Sequence, residues 1–350
     1  MTHIIKAEYL WLDGARPTQR LRSKTRLLPI EGSTPALQDF PEWGFDGSST
    51  YQATGDDSDL KLRPVRFVKD PTRQGDACLV LCEVFNYDDS PHPSNKRARL
   101  RALLDGGVSK AQAWFGFEQE YTLFRGTTPL GWPQDGYPAP QGPYYCGVGA
   151  RNVFGRELVE RHIDACMDAG VMIYGVNAEV MPGQWEFQVG YRGITDEQAD
   201  PLTTSDHLWF ARWLLHRLSE KEGVHVSFDC KPVFGDWNGA GMHTNFSTEE
   251  MRTAGKGLAA IEAAVVKLSR KHDAHIAVYG AGLEHRLTGL HETCAITEFR
   301  HGVADRGASI RVPSHVSDKG CGYMEDRRPG ANADPYDVCD RILRTICDVE

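Results

Sequence analysis

The chain has 350 residues, 41% hydrophobic and 25% charged, which is enough apolar material for a packed core and unlike a disordered composition. A net charge of -9 disfavours nucleic acid and a polybasic membrane contact as partners, because both need a basic surface. No run approaches the ~20 apolar residues of a membrane helix. The opening MTHIIKAEYLWLDG lacks a secretory pattern, and nine cysteines without CxxC spacing read as reduced, mostly buried thiols, so a cytoplasmic location is expected.

In chain order, short strand-like runs dominate up to Phe85, with Ile4–Leu12 and Ala77–Phe85 the clearest. Trp43–Thr50 and Gly55–Asp59 read as Gly/Ser/Asp-rich loops. Ser90–Asn95 (SPHPSN) precedes a helix-like segment, Lys96–Leu104, and places a domain boundary near residue 92, giving domains 1–92 and 93–350. Beyond it, the spacing predicts helices over Gly155–Ala169, Asp206–Glu222 and Thr248–His272. Strands are expected at Ala113–Phe124, Trp185–Val189, Val224–Phe228 and Ser309–Val312, which together describe an α+β chain. Gly131–Gly149 is too rich in Gly, Pro and aromatics for regular structure, and a loop of that length is usually functional.

Neither GxxxxGK[ST] nor GxGxxG occurs, and HExxH, GxSxG and the kinase signatures are absent too. Four other segments carry chemistry. In Trp114–Phe124 the alternation of a strand puts Glu118 and Glu120 on one face, ~7 Å apart. At ~6 Å and an effective dielectric of ~20 two such carboxylates repel by roughly 3 kcal/mol, so a cation between them is favoured, unless the face is simply solvated. In Asn177–Val189, Glu186 and Gln188 share a strand face while Glu179 comes from the turn bent by Pro182 and Gly183. Four glutamates on alternating strands suit a hard cation. His243 follows a Gly-Ala-Gly run; a lone histidine is more often structural than a ligand, but beside carboxylates it fits Mg²⁺ or Mn²⁺ better than structural zinc. Arg286, Arg300, Arg306, Arg311, Arg327 and Arg328 crowd the last third of an acidic chain. Surface ion pairs are the ordinary use of arginine, yet arginines opposite acids are also the parts for phosphoryl transfer without a P-loop.

Taken together, PEWGFDGSST, PHPSN, FGFEQEYTLF, GPYYCGVG, NAEVMPGQWEFQVG, GDWNGAGMHTNFST, RLTGLHET, ADRGASIRVP and GYMEDRRPGANADPY resemble, in order, the glutamine synthetase family, in its eukaryotic-type class. The resemblance implies a small β-grasp N-terminal domain and a catalytic domain with a curved antiparallel sheet flanked by helices. It implies a ring-based homo-oligomer, two stacked pentamers in this class, with active sites between subunits. It implies ATP as co-substrate with glutamate and ammonium, and Mg²⁺ or Mn²⁺ held by Glu120, Glu179 and Glu186 at one site and by Glu118, His243 and Glu325 at another. Asn238, Gly239, Arg286, Arg306, Arg311 and Arg327 would hold glutamate, the transferring phosphate and nucleotide. Asp46 and Ser49 from an adjoining subunit, with Tyr145 and Glu292, would form the ammonium site, Asp46 acting as base and Glu292 lying on a flap. His285, Cys230 and a seemingly longer Gly190–Ser205 segment depart from the pattern, and no counterpart of an adenylylated tyrosine loop is visible. A γ-glutamyl ligase using another amine and a catalytically dead paralogue are the alternatives; the first should lack the Asp46, Tyr145 and Glu292 set, the second some of the six metal-ligand candidates.

Overall fold

The computed structural model describes residues 2–32, 34–190 and 198–350. Five strands form the first sheet: β1 (Thr2–Leu12), β2 (Leu21–Glu31), β3 (Trp43–Asp46), β4 (Asp59–Lys69) and β5 (Ala77–Phe85), in the order β2-β1-β5-β4-β3. The β1–β5 pair is parallel and the others antiparallel. All nine residues of β5 are buried: eight are apolar, and Glu83 is paired with Arg97 and Arg101. Cys78, Val80, Cys82 and Val84 face a small core shared with Tyr9, Trp11 and Leu62, while Leu79 and Leu81 join the large core of the rest of the chain. The expected loop at Trp43–Thr50 is an edge strand over its first four residues, because Trp43 pairs with Leu62 and packs edge-on against Tyr9.

The second sheet contains β6 (Trp114–Arg125), β7 (Thr128–Pro129), β8 (Ile173–Ala178), β9 (Gln184–Val189), β10 (His225–Ser227), β11 (Met242–Ser247), β12 (His301–Val303), β13 (Ile310–Val312) and β14 (Met324–Asp326). Its main path runs β12-β13-β14-β11-β6-β9-β8, with β7 and β10 also on β6. This is the expected catalytic-domain sheet with one correction: the β12–β13 pair is parallel, so the sheet is mixed rather than antiparallel.

Nine helices flank the sheets among the described residues: α1 (Lys96–Asp105), α2 (Arg156–Ala169), α3 (Pro201–Ser219), α4 (Glu249–Arg252), α5 (Gly257–Arg270), α6 (His272–Ile276), α7 (Leu283–Arg286), α8 (Ser314–Lys319) and α9 (Pro335–Ile346). Helix α3 starts five residues earlier than the apolar spacing predicts, because Asp200 caps the amides of Leu202 and Thr203 and Pro201 suits the first helical position. The single helix expected over Thr248–His272 is broken into three, the first break falling where Gly255 takes φ +78°. Of the Gly190–Ser205 segment, residues 191–197 lie outside the described residues. No helix among the described residues is long and apolar enough to cross a membrane.

One buried carboxylate ties these parts together. Asp206 on α3 accepts from Arg66 of β4 (2.9 Å), from Arg97 of α1 (2.8 and 2.9 Å) and from Tyr336 of α9 (2.6 Å). Burial alone would push its carboxyl up, but the two guanidinium groups hold it below the usual range. Nearby, His162 of α2 lies wholly buried, with Nε2 2.9 Å from the Ala211 carbonyl of α3, an arrangement that requires the proton on that nitrogen. Burial lowers its pKa to about 4. The unfolded chain therefore binds a proton between pH ~6.5 and ~4 that the fold refuses, and stability falls as pH drops through that window by up to about 1.4 kcal/mol per unit. His162→Phe should remove that part of the slope in urea unfolding curves, and equal slopes in both proteins would refute the assignment.

Candidate active site

The register of the second sheet puts the sequence-predicted acids side by side. Glu120 on β6 lies directly opposite Glu186 on β9, and Glu118 lies opposite His243 on β11. Glu325 on β14 is one strand further, opposite both Asn245 of β11 and Arg311 of β13. Glu179 follows β8 at the mouth of the β8–β9 hairpin, where Gly183 takes the left-handed conformation the turn requires (φ +77°) and the carbonyl of Gln184 accepts from the Glu179 amide (2.9 Å).

Two groups of donor atoms result, each with its members within 4.8 Å of one another: Glu120, Glu179 and Glu186, and Glu118, His243 and Glu325. Glu118 and Glu120 share a face as expected, but they go to different groups, so the cation anticipated between them is replaced by two separate candidate positions. Their electrostatics differ. No cation is ion-paired with Glu120, Glu179 or Glu186 among the described residues. Burial, followed by mutual repulsion, raises Glu179 to about 8 and Glu186 well above a normal carboxyl; burial raises Glu120 too, against the pull of Arg286. Their donors are neutral: the Gly241 amide for Glu120, Asn177 (2.8 Å) and the Val180 amide for Glu179, and Gln188 for Glu186. Glu325, by contrast, is held by Arg311 (2.7 Å) and Arg327 (2.6 Å). His243 is kept neutral, first by burial and then by Arg327. Its Nδ1 is 3.3 Å from Glu118 and 3.5 Å from Glu325, while Nε2 is 3.0 Å from Arg286.

The reverse face of β6 fixes these positions. Gln119, fully buried between the two glutamates, bonds the carbonyls of Glu120 and Ala331 and accepts from the guanidinium of Arg212. Arg212 also reaches the carbonyls of Ala331 and Ala333 at 3.0 Å. On β14, Asp326 does the same between Glu325 and Arg327, pairing with Arg328 and accepting from Tyr279 (2.7 Å). The Gly-Ala-Gly run before His243 reads in the sequence as room for a ligand; the room is taken by Arg286, since a Cβ on Gly239 would lie 2.7 Å from its Cγ.

These side chains surround a cavity of about 330 Å³. Of the expected residues it brings together Glu118, Glu120, Tyr145, Glu179, Glu186, Asn238, Gly239, His243, Arg286, Glu292, Arg306, Arg311 and Arg327, with Glu325 buried beneath them. Glu292 and its neighbour His291 both have positive φ (57° and 53°), an uncommon strained pair in the segment expected to act as a flap. Asp46 and Ser49 are not in the lining; they sit exposed on the first sheet's edge, Ser49 donating to Asp46 at 2.6 Å.

Two family models match the chain: "Glutamine synthetase, beta-Grasp domain" over residues 3–87 and "Glutamine synthetase, catalytic domain" over residues 94–281. The chloroplastic glutamine synthetase of Chlamydomonas reinhardtii is 53% identical, aligning 97% of this chain with 90% of its own. The glutamine synthetase of Streptomyces viridochromogenes is 53% identical over 98% of this chain and 96% of its own, and that of Candida glabrata 52% over 97% and 88%. The chain belongs to the glutamine synthetase family.

Within this member of the family, sequence reading missed several residues at the site. Gln141, from the long Gly/Pro loop, accepts from the Asn238 amide (2.8 Å) and donates to its side chain (2.8 Å), with His291 Nδ1 3.1 Å away. Asn177, Gln188, His291 and Thr293 line the cavity itself. The loop's length pointed to its importance, but nothing in its pattern singled out Gln141.

The uncompensated acids generate a stability prediction for chelator-treated protein. With Glu179 held near pKa 8 in the fold and ~4.3 unfolded, the native state binds the extra proton, so stability falls as pH rises between those values. Glu179→Gln removes the cost of keeping this carboxyl protonated in the fold and should raise the metal-free Tm at pH 7.5 by about 1–3 °C, measured by calorimetry. A lower Tm would show that the three acids do not repel as described.

Proposed function

We propose that this protein catalyses ATP-dependent ligation of ammonia to the side-chain carboxylate of glutamate through a γ-glutamyl phosphate, the family's reaction. The observation that carries the reading is the pairing of two three-donor groups on adjacent strands with an arginine cluster across one cavity, in a chain of this family. The donor chemistry fits divalent hard cations: buried carboxylates short of positive charge, and one neutral imidazole. Glu120, Glu179 and Glu186 would hold one Mg²⁺ or Mn²⁺, and Glu118, His243 and Glu325 another. Such ions supply positive charge to the phosphate oxygens and to the substrate carboxylate.

The chain's own residues do the rest. Asn238, Gly239 and Arg286 line the part of the cavity suited to glutamate, and Arg286 can grip a carboxylate through its fork. Arg306, Arg311 and Arg327 face the same space and would neutralise the phosphoryl group of ATP as it moves, in place of a P-loop. Phosphorylation turns the oxide of a carboxylate, a leaving group too poor for amide formation, into a phosphate. Glu292, on its strained turn, stands where a closing segment would keep water from that mixed anhydride.

Asp46 and Ser49 are exposed and outside the cavity of their own chain, which supports an assembly in which a neighbouring copy delivers them to it. We assign the ring-based homo-oligomer, a decamer in this class, on that basis. Hydrogen bonds from Ser48 and Ser49 hold the Asp46 carboxyl near about 2, so in the free chain it is a firm counter-ion for ammonium and a weak base. Burial between subunits would raise its basicity toward the proton-accepting role. Tyr145 and Glu292 line the receiving side. The domain division at residues 92/93 is supported by the family matches ending at 87 and resuming at 94. All nine cysteines are free, which suits a reducing cytoplasm.

Purified protein with Mg²⁺, ATP and glutamate should release phosphate and form glutamine in equal amounts when ammonium is added, and Glu120→Ala should lower the rate at least ~10²-fold. Phosphate release that yields glutamyl product only with another amine would replace this reading by the γ-glutamyl ligase. Asp46→Ala and Arg306→Ala should each be inactive alone. Reassembled together in equal amounts, they should recover roughly a quarter of the sites if each site is built from two chains, and none if it is built from one.

A further inference from the structure

A cavity larger than the active site lies elsewhere in the molecule. A space of about 1150 Å³ lies between the first sheet and the helix–strand layer behind the catalytic sheet, bounded by the β1–β2 connection on one side and by α3, β10 and the segment Asp229–Phe234 on the other. Two of its three acids are ion-paired, Glu8 with Arg73 and Glu220 with Arg217 (2.5 Å), and Asp229 accepts from the Ser227 hydroxyl (3.0 Å). Its surplus is positive. Arg16 and Arg20 line the mouth with guanidinium groups that have no partner among the described residues. At the inner wall stands Arg212, only 3% exposed. Its Nε and Nη2 are spent on Gln119 and backbone carbonyls, its Nη1 has no hydrogen bond, and no carboxylate is ion-paired with it among the described residues. A buried guanidinium held by neutral acceptors, with no carboxylate nearer than the field of Asp334, is costly, and burial depresses its pKa to about 10. The side chain rests on the rings of Trp209 and Phe228, 4.6 and 5.2 Å from their centroids, which makes the wall around it aromatic.

We propose that this cavity binds a small multivalent organic anion, carrying carboxylate or phosphate groups, and that its occupancy adjusts the ligase site. The coupling has a short physical route. Arg212 fixes Gln119, the residue between Glu118 and Glu120. Cavity-lining Lys231 bonds the Trp237 carbonyl, next to Asn238 of the active site, and the Cys230 carbonyl accepts from Ala240 at 2.8 Å. An anion that draws Arg212 toward the cavity weakens the hold on Gln119 and loosens β6, so the expected effect is inhibition. The effect on catalysis rests on the ligase reading; the binding does not.

The probe is benzene-1,3,5-tricarboxylate, titrated calorimetrically into the full-length protein with Mg²⁺ and a non-hydrolysable ATP analogue saturating the active site. Saturable binding is expected, weakened at least ~10-fold in the Arg16→Ala/Arg20→Ala double variant, whose glutamine formation without probe should match the wild type. The probe should also slow glutamine formation in the wild type and not in the double variant. Absence of saturation, equal affinity in the double variant, or displacement by the ATP analogue would overturn the site. Binding without any change in rate would overturn the coupling. A wild-type protein that binds the probe but makes no glutamine would strike the ligase reading and leave the anion site standing.

Discussion

Glu120, Glu179 and Glu186 are each no more than about a tenth exposed, and their ligand oxygens lie within 4.8 Å of one another. At ~5 Å and an effective dielectric of ~20, each charged pair costs roughly 3 kcal/mol. A fold can keep such a group only if the surrounding sheet is stiff enough to prevent the acids from turning out to water. The structure meets that demand from behind: Gln119 and Asp326, placed between the functional residues of their strands, are buried on the opposite face and tied to Arg212 and Arg328. On β6 and β14, strand alternation thus sets a hydrogen-bonded polar residue behind the acids that face the cavity.

The two donor groups divide the labour accordingly. Among the described residues the first has no ion-paired cation, so it would be the stronger attractor for a metal ion. The second is already partly neutralised, since Arg311 and Arg327 hold Glu325. A cation on Nδ1 of His243 would need the ring proton on Nε2, the atom 3.0 Å from Arg286. On the proposed roles, metal occupancy and the freedom of Arg286 to meet a substrate carboxylate would be linked through a single imidazole.

Much of this was legible in the chain. The alternation in FGFEQEYTLF and QWEFQV gave the strand faces, and the family motifs named thirteen of the cavity residues that the register brings together. What was not legible depended on partners distant in sequence. Trp43–Asp46 looked like loop because its strand character comes from pairing with β4, not from its own composition. Helix α9, with its Asp334 cap and Pro335, went unread behind the motif that precedes it. Gln141 is one glutamine in a polar loop until Asn238, 97 residues away, is placed against it.

The double burial of β5 and the knot at Asp206 have a bearing on how this architecture could be inherited. A strand with no solvent face, and a carboxylate that needs Arg66 from one sheet and Arg97, Tyr336 from the other body, leave neither part a surface it could present alone. Modules of that kind do not shuffle: a foreign small domain would arrive with the wrong stripe on its central strand and no guanidinium for Asp206. Recombination at the proline-rich joint near residue 92 would then be selected against, and the two parts would be expected to share one ancestry.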